Sequence, residues 1–183
     1  TYSFLKRMQP QTRQTILLIG SGATALALAD HARNLGLTLL AVGGADRMEV
    51  FTKSGAKLFV SYKDKEYLSK LKAELDSGVD MIIDAIGSSK TINEILPLLK
   101  KSGKIGVYGL DGHLDYKIDI SQAAGDFSYY DGQIYDEGSA HDEIIDFIEN
   151  KKLNAWDYLD RNHVYPLERI KDALAASHGR QVL

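Results

Sequence analysis

The sequence predicts an α/β fold built on a parallel sheet, and three observations carry that prediction. Short apolar runs alternate with helix-patterned segments along a chain of 183 residues, as in repeated strand–helix units. The first run, Thr15-Ile16-Leu17-Leu18-Ile19, is nearly all apolar, as a strand buried on both faces must be. It passes through Gly20-Ser21-Gly22 straight into an alanine-rich helical stretch.

The first helix, 23–35, carries Leu28, Ala32 and Leu35 at helical spacing and stops at Gly36. A second strand spans 37–42. Gly43-Gly44-Ala45 follows, then a helix over 46–54 ended by Gly55, with Asp46 and Glu49 at the spacing of a capping box. Leu58-Phe59-Val60 is a third strand, and Leu68, Leu71 and Leu75 mark the next helix. Met81-Ile82-Ile83 opens a fourth strand that ends near Gly87. Thr91 with Glu94 forms a second capping box, for a helix burying Ile92, Ile95, Leu96 and Leu99, which Pro97 kinks or shifts. Residues 104–108 make a fifth strand, and 111–124 a loop with some strand character. Phe127-Ser128-Tyr129-Tyr130 reads as a sixth strand. Ser139 with Asp142 starts a helix bearing Ile144, Ile145 and Ile148; 162–165 reads as a short strand; Pro166 opens a last helix with Leu167, Ile170 and Leu174 inward.

Composition bounds the function. Apolar content of 44% and charged content of 26% are those of an ordinary globular domain. A net charge of −3 gives no general attraction to nucleic acid or to an anionic membrane. No apolar run approaches the roughly 20 residues of a spanning helix. The absence of cysteine excludes disulfides, thiolate zinc sites and a cysteine nucleophile within these residues, and fits a cytoplasmic protein. A start at Thr1 and an end on Arg180-Gln181-Val182-Leu183, read as the opening of a strand, lead us to expect a piece of a longer protein.

The turn after the first strand fits a dinucleotide phosphate. Gly20 allows a tight turn, and Gly22 leaves a ligand free to approach the backbone. The helix start then offers N–H groups and a favourable dipole. Gly20, Ser21, Gly22, Ala23 and Thr24 are therefore candidate cofactor contacts, with Ala25 at the third fingerprint position, which accepts alanine. The end of the second strand selects the nucleotide. An acid there binds the ribose hydroxyls of NAD and repels the 2′-phosphate of NADP; here the strand gives Gly43 and Gly44. The nearest acid, Asp46, is better suited to an N-cap than to the ribose. Arg47 is either a 2′-phosphate ligand or a solvated surface arginine. The residues favour NADP over NAD. Tyr62, with Lys63, flanks the adenine end or is plain surface. Ala85, Ile86 and Gly87 form one edge of the expected crevice, and Tyr108, Gly109 and Leu110 the other. Their glycines serve either cofactor approach or tight turns. Asp84 is either a polar group at the strand end or a structural acceptor.

No credible acid, base or nucleophile set is visible. The five histidines are scattered. The only Tyr-x-x-x-Lys, Tyr2 to Lys6, precedes the first strand, and there is no G-x-S-x-G elbow.

The ordered set of segments resembles the nucleotide-binding domain of medium-chain, zinc-containing alcohol dehydrogenases. The shared marks are Ile16-Leu17-Leu18-Ile19-Gly20-Ser21-Gly22, Gly55-Ala56-Lys57, Gly78-Val79-Asp80-Met81-Ile82-Ile83-Asp84, Gly103-Lys104-Ile105-Gly106-Val107-Tyr108-Gly109 and His163-Val164-Tyr165-Pro166-Leu167-Glu168. The likeness runs over virtually the whole chain. It implies a Rossmann doubly wound parallel sheet of six strands, order 3-2-1-4-5-6, with helices on both faces. It implies that residues 1–14 are the end of an inter-domain linking helix and loop, and that 15–183 are a single dinucleotide-binding domain. It further implies that the catalytic domain, with its zinc ligands, lies outside this chain, leaving the chain alone inactive. The expected cofactor is NADP or NAD, and the expected substrate of the whole protein a small alcohol or carbonyl compound. Homo-oligomerisation through the 127–135 edge is implied as well. Gly43 in place of an acid resembles NADP-using members. Absence of the Ala-x-Gly-Gly-Val-Gly turn sets the chain apart from zinc-free quinone reductases. The alternative reading is a nucleotide-sensing regulatory module without chemistry of its own.

Overall fold

The computed structural model describes residues 1–109, 115–132, 136–159 and 162–178. The chain divides into two compact units, Thr1–Ala140 and His141–Leu183.

The first unit holds six parallel strands: β1 (Thr15–Ile19), β2 (Thr38–Gly43), β3 (Ala56–Ser61), β4 (Val79–Asp84), β5 (Leu99–Val107) and β6 (Phe127–Asp131). Their order across the sheet is β3-β2-β1-β4-β5-β6, the Rossmann arrangement the sequence predicts. The helices around it are α1 (Tyr2–Arg7), α2 (Ala23–Asn34), α3 (Met48–Lys53), α4 (Tyr67–Ala73) and α5 (Ser89–Ile95). Ile16, Leu17, Leu18 and Ile19 are all buried, which is why β1 needs an unbroken apolar run. Each such side chain contributes about 1.5–3 kcal/mol by leaving water. Leu17, Ile19, Leu40, Val42, Ile82 and Ile105 join residues of α4 and α5 in one core.

Ahead of the sheet, α1 is tied firmly to this unit. Phe4 packs edge-on to Tyr108 at a ring distance of 5.2 Å. Arg7 donates to the carbonyl of Asp131, and Lys104 Nζ to that of Met8 at 2.6 Å. In the last turn of α2, buried His31 lies 4.8 Å from the Tyr2 ring with the two planes tilted by 42°, and burial lowers its pKa to about 4.

Both predicted capping boxes are replaced by other contacts. Asp46 lies inside a 3₁₀ turn, Ala45–Arg47, that leads into α3, and Glu49 pairs with Lys53 at 2.6 Å instead. The cap of α5 is Ser88, whose Oγ accepts the Thr91 N–H at 3.3 Å, while Glu94 accepts the Tyr67 hydroxyl. Pro97 ends the α-helix rather than kinking it, because Leu96–Leu98 continues as a 3₁₀ turn, which tolerates its missing N–H. β5 begins at Leu99, five residues ahead of its predicted start.

The second unit holds α6 (His141–Glu149), a 3₁₀ turn over Ala155–Tyr158 that Asn154 caps, and α7 (Ile170–His178), preceded by a 3₁₀ turn over Leu167–Arg169. The strand predicted over 162–165 does not form. A strand needs a hydrogen-bonding neighbour, and this unit has none among its described residues. Leu167, Ile170 and Leu174 are exposed rather than inward, since none of the unit's described residues is buried.

Candidate functional site

The register brings the strand ends level. Ile19 lies opposite Val42 on one side and Asp84 on the other, and Asp84 lies opposite Val107. The strand order reverses between β1 and β4, and in sheets of this kind ligands bind outside the carboxyl ends at that point. Of the sequence-predicted residues, Gly20, Ser21, Gly43, Gly44, Arg47, Ala85, Ile86, Gly87 and Gly109 come together along this edge. Leu110 lies outside the described residues.

Gly20 turns the chain with φ +122°, a left-handed value that favours glycine, and its N–H donates to the Val42 carbonyl at 2.8 Å. A Cβ on Gly20 would stand 3.2 Å from Ile86 Cγ1 and 3.4 Å from Ala85 Cβ, so the β1 and β4 turns touch here. Gly22 is the N-cap of α2, with no side chain capping the helix. A Cβ there would meet nothing within 4 Å. The helix therefore presents backbone donors, beginning at Ala23 and Thr24, to open space. Buried Ala25 packs beneath this turn, which explains its fit at the third fingerprint position.

The β2 turn is bound to the same loop. Ser21 Oγ accepts the Gly44 N–H at 3.0 Å, and the Ser21 carbonyl accepts Arg47 Nε–H at 3.2 Å. Arg47 Nη2 is buried and has no hydrogen-bond partner. Asp46 is exposed and turns its carboxylate back over Gly44, where a Cβ would stand 2.6 Å from Oδ1. Tyr62 is exposed; its N–H donates to the Gly43 carbonyl at 3.2 Å, and Lys63 Nζ lies 6.0 Å from its ring centre.

Asp84 organises the other side as a structural acceptor. Fully buried, it takes the N–H groups of Ile86 and Gly87 at 2.8 Å on Oδ1. Its Oδ2 takes the Ser88 N–H and the Tyr116 hydroxyl, both at 2.9 Å. Burial and the facing Asp84 push the Tyr116 phenol well above its ordinary pKa. Gly109 is jammed against this loop: a Cβ would be 2.0 Å from the Ile86 carbonyl carbon and 2.3 Å from the Gly87 nitrogen. Protein packing therefore accounts for this glycine. Tyr108 donates its N–H to the Asp84 carbonyl at 2.8 Å, and its ring packs on α1. Sequence reasoning missed Tyr116 and Ser88. Ser88 sits at a readable N-cap position before α5, whereas nothing local marks Tyr116.

A separate groove of about 590 Å³, bordered by Lys72, Ser77, Gly78, Pro97 and Lys100, lies where β4 and β5 begin. Ligands of such sheets bind at the opposite edge.

Comparison with known proteins decides the family. The profile of the zinc-binding dehydrogenase family matches residues 19–128, more than half of the chain. The chain belongs to that family. It is 30% identical to D-arabitol-phosphate dehydrogenase of Enterococcus avium over 114 residues, covering 60% of this chain and 32% of that protein. It is 24% identical to D-arabinitol dehydrogenase 1 of Uromyces fabae, over 98% of this chain and 52% of that one. Alcohol dehydrogenase TADH from Thermus sp. ATN1 superposes on all of this chain, with a TM-score of 0.86, 20% identity and 54% of its own length covered. At that identity the superposition speaks for the fold. The chain thus spans about half, or less, of the length of these relatives. Among the described residues no three or more metal-ligating side chains cluster. These residues do not fit a zinc centre, and we assign no step to one.

Proposed function

We propose that the chain is the cofactor-binding part of a medium-chain oxidoreductase, and that it binds the dinucleotide NADP(H) along the carboxyl edge of β1, β2 and β4. The observation that carries this reading is the β1–α2 turn. Gly22 caps a twelve-residue helix with no side chain in the way, leaving space beside unpaired backbone donors. The pyrophosphate lies against Gly20, Ser21, Gly22, Ala23 and Thr24. Arg47 supports the 2′-phosphate, because its orphaned Nη2 is a donor that an anion satisfies. Tyr62 flanks the adenine end. Ala85, Ile86, Gly87 and Gly109 border the nicotinamide end, in a loop whose shape Asp84 fixes. When bound, the cofactor supplies or accepts the hydride. The residues of this chain bind it, orient it and keep water from one of its faces. In the whole protein the substrate is a small alcohol, polyol or carbonyl compound, in keeping with the names of the two polyol dehydrogenase relatives.

Titration with NADPH and NADH, followed by nucleotide fluorescence or calorimetry, tests the reading. NADPH should bind more tightly. Arg47→Ala should weaken NADPH about ten- to a hundredfold, the worth of a charge-assisted hydrogen bond, with little effect on NADH. Tighter NADH binding would assign the ribose to Asp46 and overturn the NADP preference.

A further inference from the structure

Residues 115–119 alternate as a strand does. Tyr116 and Ile118 pack against the core of the first unit, while Asp115, Lys117 and Asp119 are exposed. Among the described residues no strand pairs with them. They lie along α5 instead. Ser89 Oγ accepts the Lys117 N–H at 2.8 Å and donates to the Asp115 carbonyl at 3.4 Å. One helical turn on, Asn93 Oδ1 accepts the Asp119 N–H at 2.8 Å, and its Nδ2 donates to the Lys117 carbonyl at 3.1 Å. Residues four apart on a helix face stand about 5–6 Å apart, close to the roughly 6–7 Å that two residues of extended chain span. Ser89 and Asn93 therefore hold this strap as a neighbouring strand would.

The strap brings one polar group inward, the Tyr116 hydroxyl, which donates to Asp84 Oδ2 at 2.9 Å. The other donors on that buried carboxylate are the N–H groups of Ile86, Gly87 and Ser88, the loop that Asp84 shapes. Tyr116 alone among them comes from outside the loop. Without it, Oδ2 keeps only the Ser88 N–H, and the carboxylate is no longer anchored to anything but the segment it has to fix.

We propose that Tyr116 is a positioning residue for the nicotinamide end of a bound dinucleotide, brought by the strap to Asp84 and so fixing the loop that borders that end. Resting on the dinucleotide reading above, this goes beyond it by adding a residue that acts through Asp84 and is itself placed by Ser89 and Asn93.

The test compares NADPH with adenosine 2′,5′-bisphosphate, which has the adenine end and the 2′-phosphate but no nicotinamide. Tyr116→Phe should weaken NADPH about three- to tenfold and leave the bisphosphate within about twofold. Asn93→Ala keeps the phenol and loosens the strap, so it should give the same selective loss, smaller in size. Combined with Tyr116→Phe it should add little, because both act on one contact. The thermal midpoint of Tyr116→Phe should fall by about 3–10 °C. A merely structural tyrosine would give that fall while weakening both ligands alike, or neither, and either result overturns the proposal. So would full additivity of the two variants on NADPH affinity. If the unaltered chain binds the bisphosphate as tightly as NADPH, the β4 loop holds no nicotinamide, and the proposal fails while the adenine end of the reading stands. If it binds neither, the dinucleotide reading falls and takes this inference with it.

Discussion

Gly22 and Gly109 stand on the same edge of the same sheet, each just past a strand, and they do opposite things. A Cβ on Gly22 would enter empty space, whereas one on Gly109 would enter the backbone of Ile86 and Gly87. The first glycine borders open space, which the proposed dinucleotide reading fills with a pyrophosphate. The second is consumed by the fold, letting β5 close against the loop that Asp84 ties down. The carboxyl edge therefore has an open side, at β1 and β2, and a closely packed side, at β4 and β5. A ligand lying between them would meet one open, donor-rich wall and one wall whose shape is already set.

The largest effect expected from this contrast is at Gly109. A methyl 2.0 Å from a carbonyl carbon has no flexible neighbour to push aside, so Gly109→Ala should cost more than about 4 kcal/mol in urea denaturation, or prevent folding. A variant of near-normal stability would mean that the two loops are not packed this way. Asp84→Ala comes next. It strips the acceptor from three backbone N–H groups and the Tyr116 hydroxyl in a buried setting, and about 3 kcal/mol should be lost. Asp84→Asn keeps one acceptor oxygen and should fall between the two. Equal stability of all three proteins would show the β4 loop to be held by something other than this carboxylate.

The sheet was legible because its signals are local. An apolar run, a glycine turn and a helical spacing each declare themselves within a dozen residues, and their order along the chain suggests the strand order. The division of labour along the edge was not legible, because it depends on residues far apart in sequence. Gly43 is closed by Ser21 and Phe59, and Asp84 is completed by Tyr116. Glycine after a strand reads the same whether its space is left for a ligand or filled by backbone. The capping boxes failed for a related reason. Glu94 has the correct spacing from Thr91, but it faces Tyr67, and Ser88 takes the cap. In the second unit, the pattern over 162–165 promised a strand that lacks a neighbour to pair with among the described residues, and the leucine and isoleucine spacing of α7 promised an inward face where none of that unit's described residues is buried.

The smallest change in stability, and the sharpest test of the contrast, is expected at Gly22. Its φ of −79° and ψ of −174° suit any residue, and a Cβ there would touch nothing within 4 Å. Alanine is only a poorer N-cap than glycine, so Gly22→Ala should change folding stability by no more than about 1 kcal/mol. The added methyl would, however, stand where a pyrophosphate must approach the N–H groups of α2, and dinucleotide affinity should fall about tenfold or more. Denaturation and NADPH titration on the same preparation separate the two quantities. Loss of affinity at preserved stability would identify Gly22 as space held for a ligand, in direct opposition to Gly109. Unchanged affinity would make the β1 turn as structural as the β5 turn, and the open wall would have to lie elsewhere on the edge.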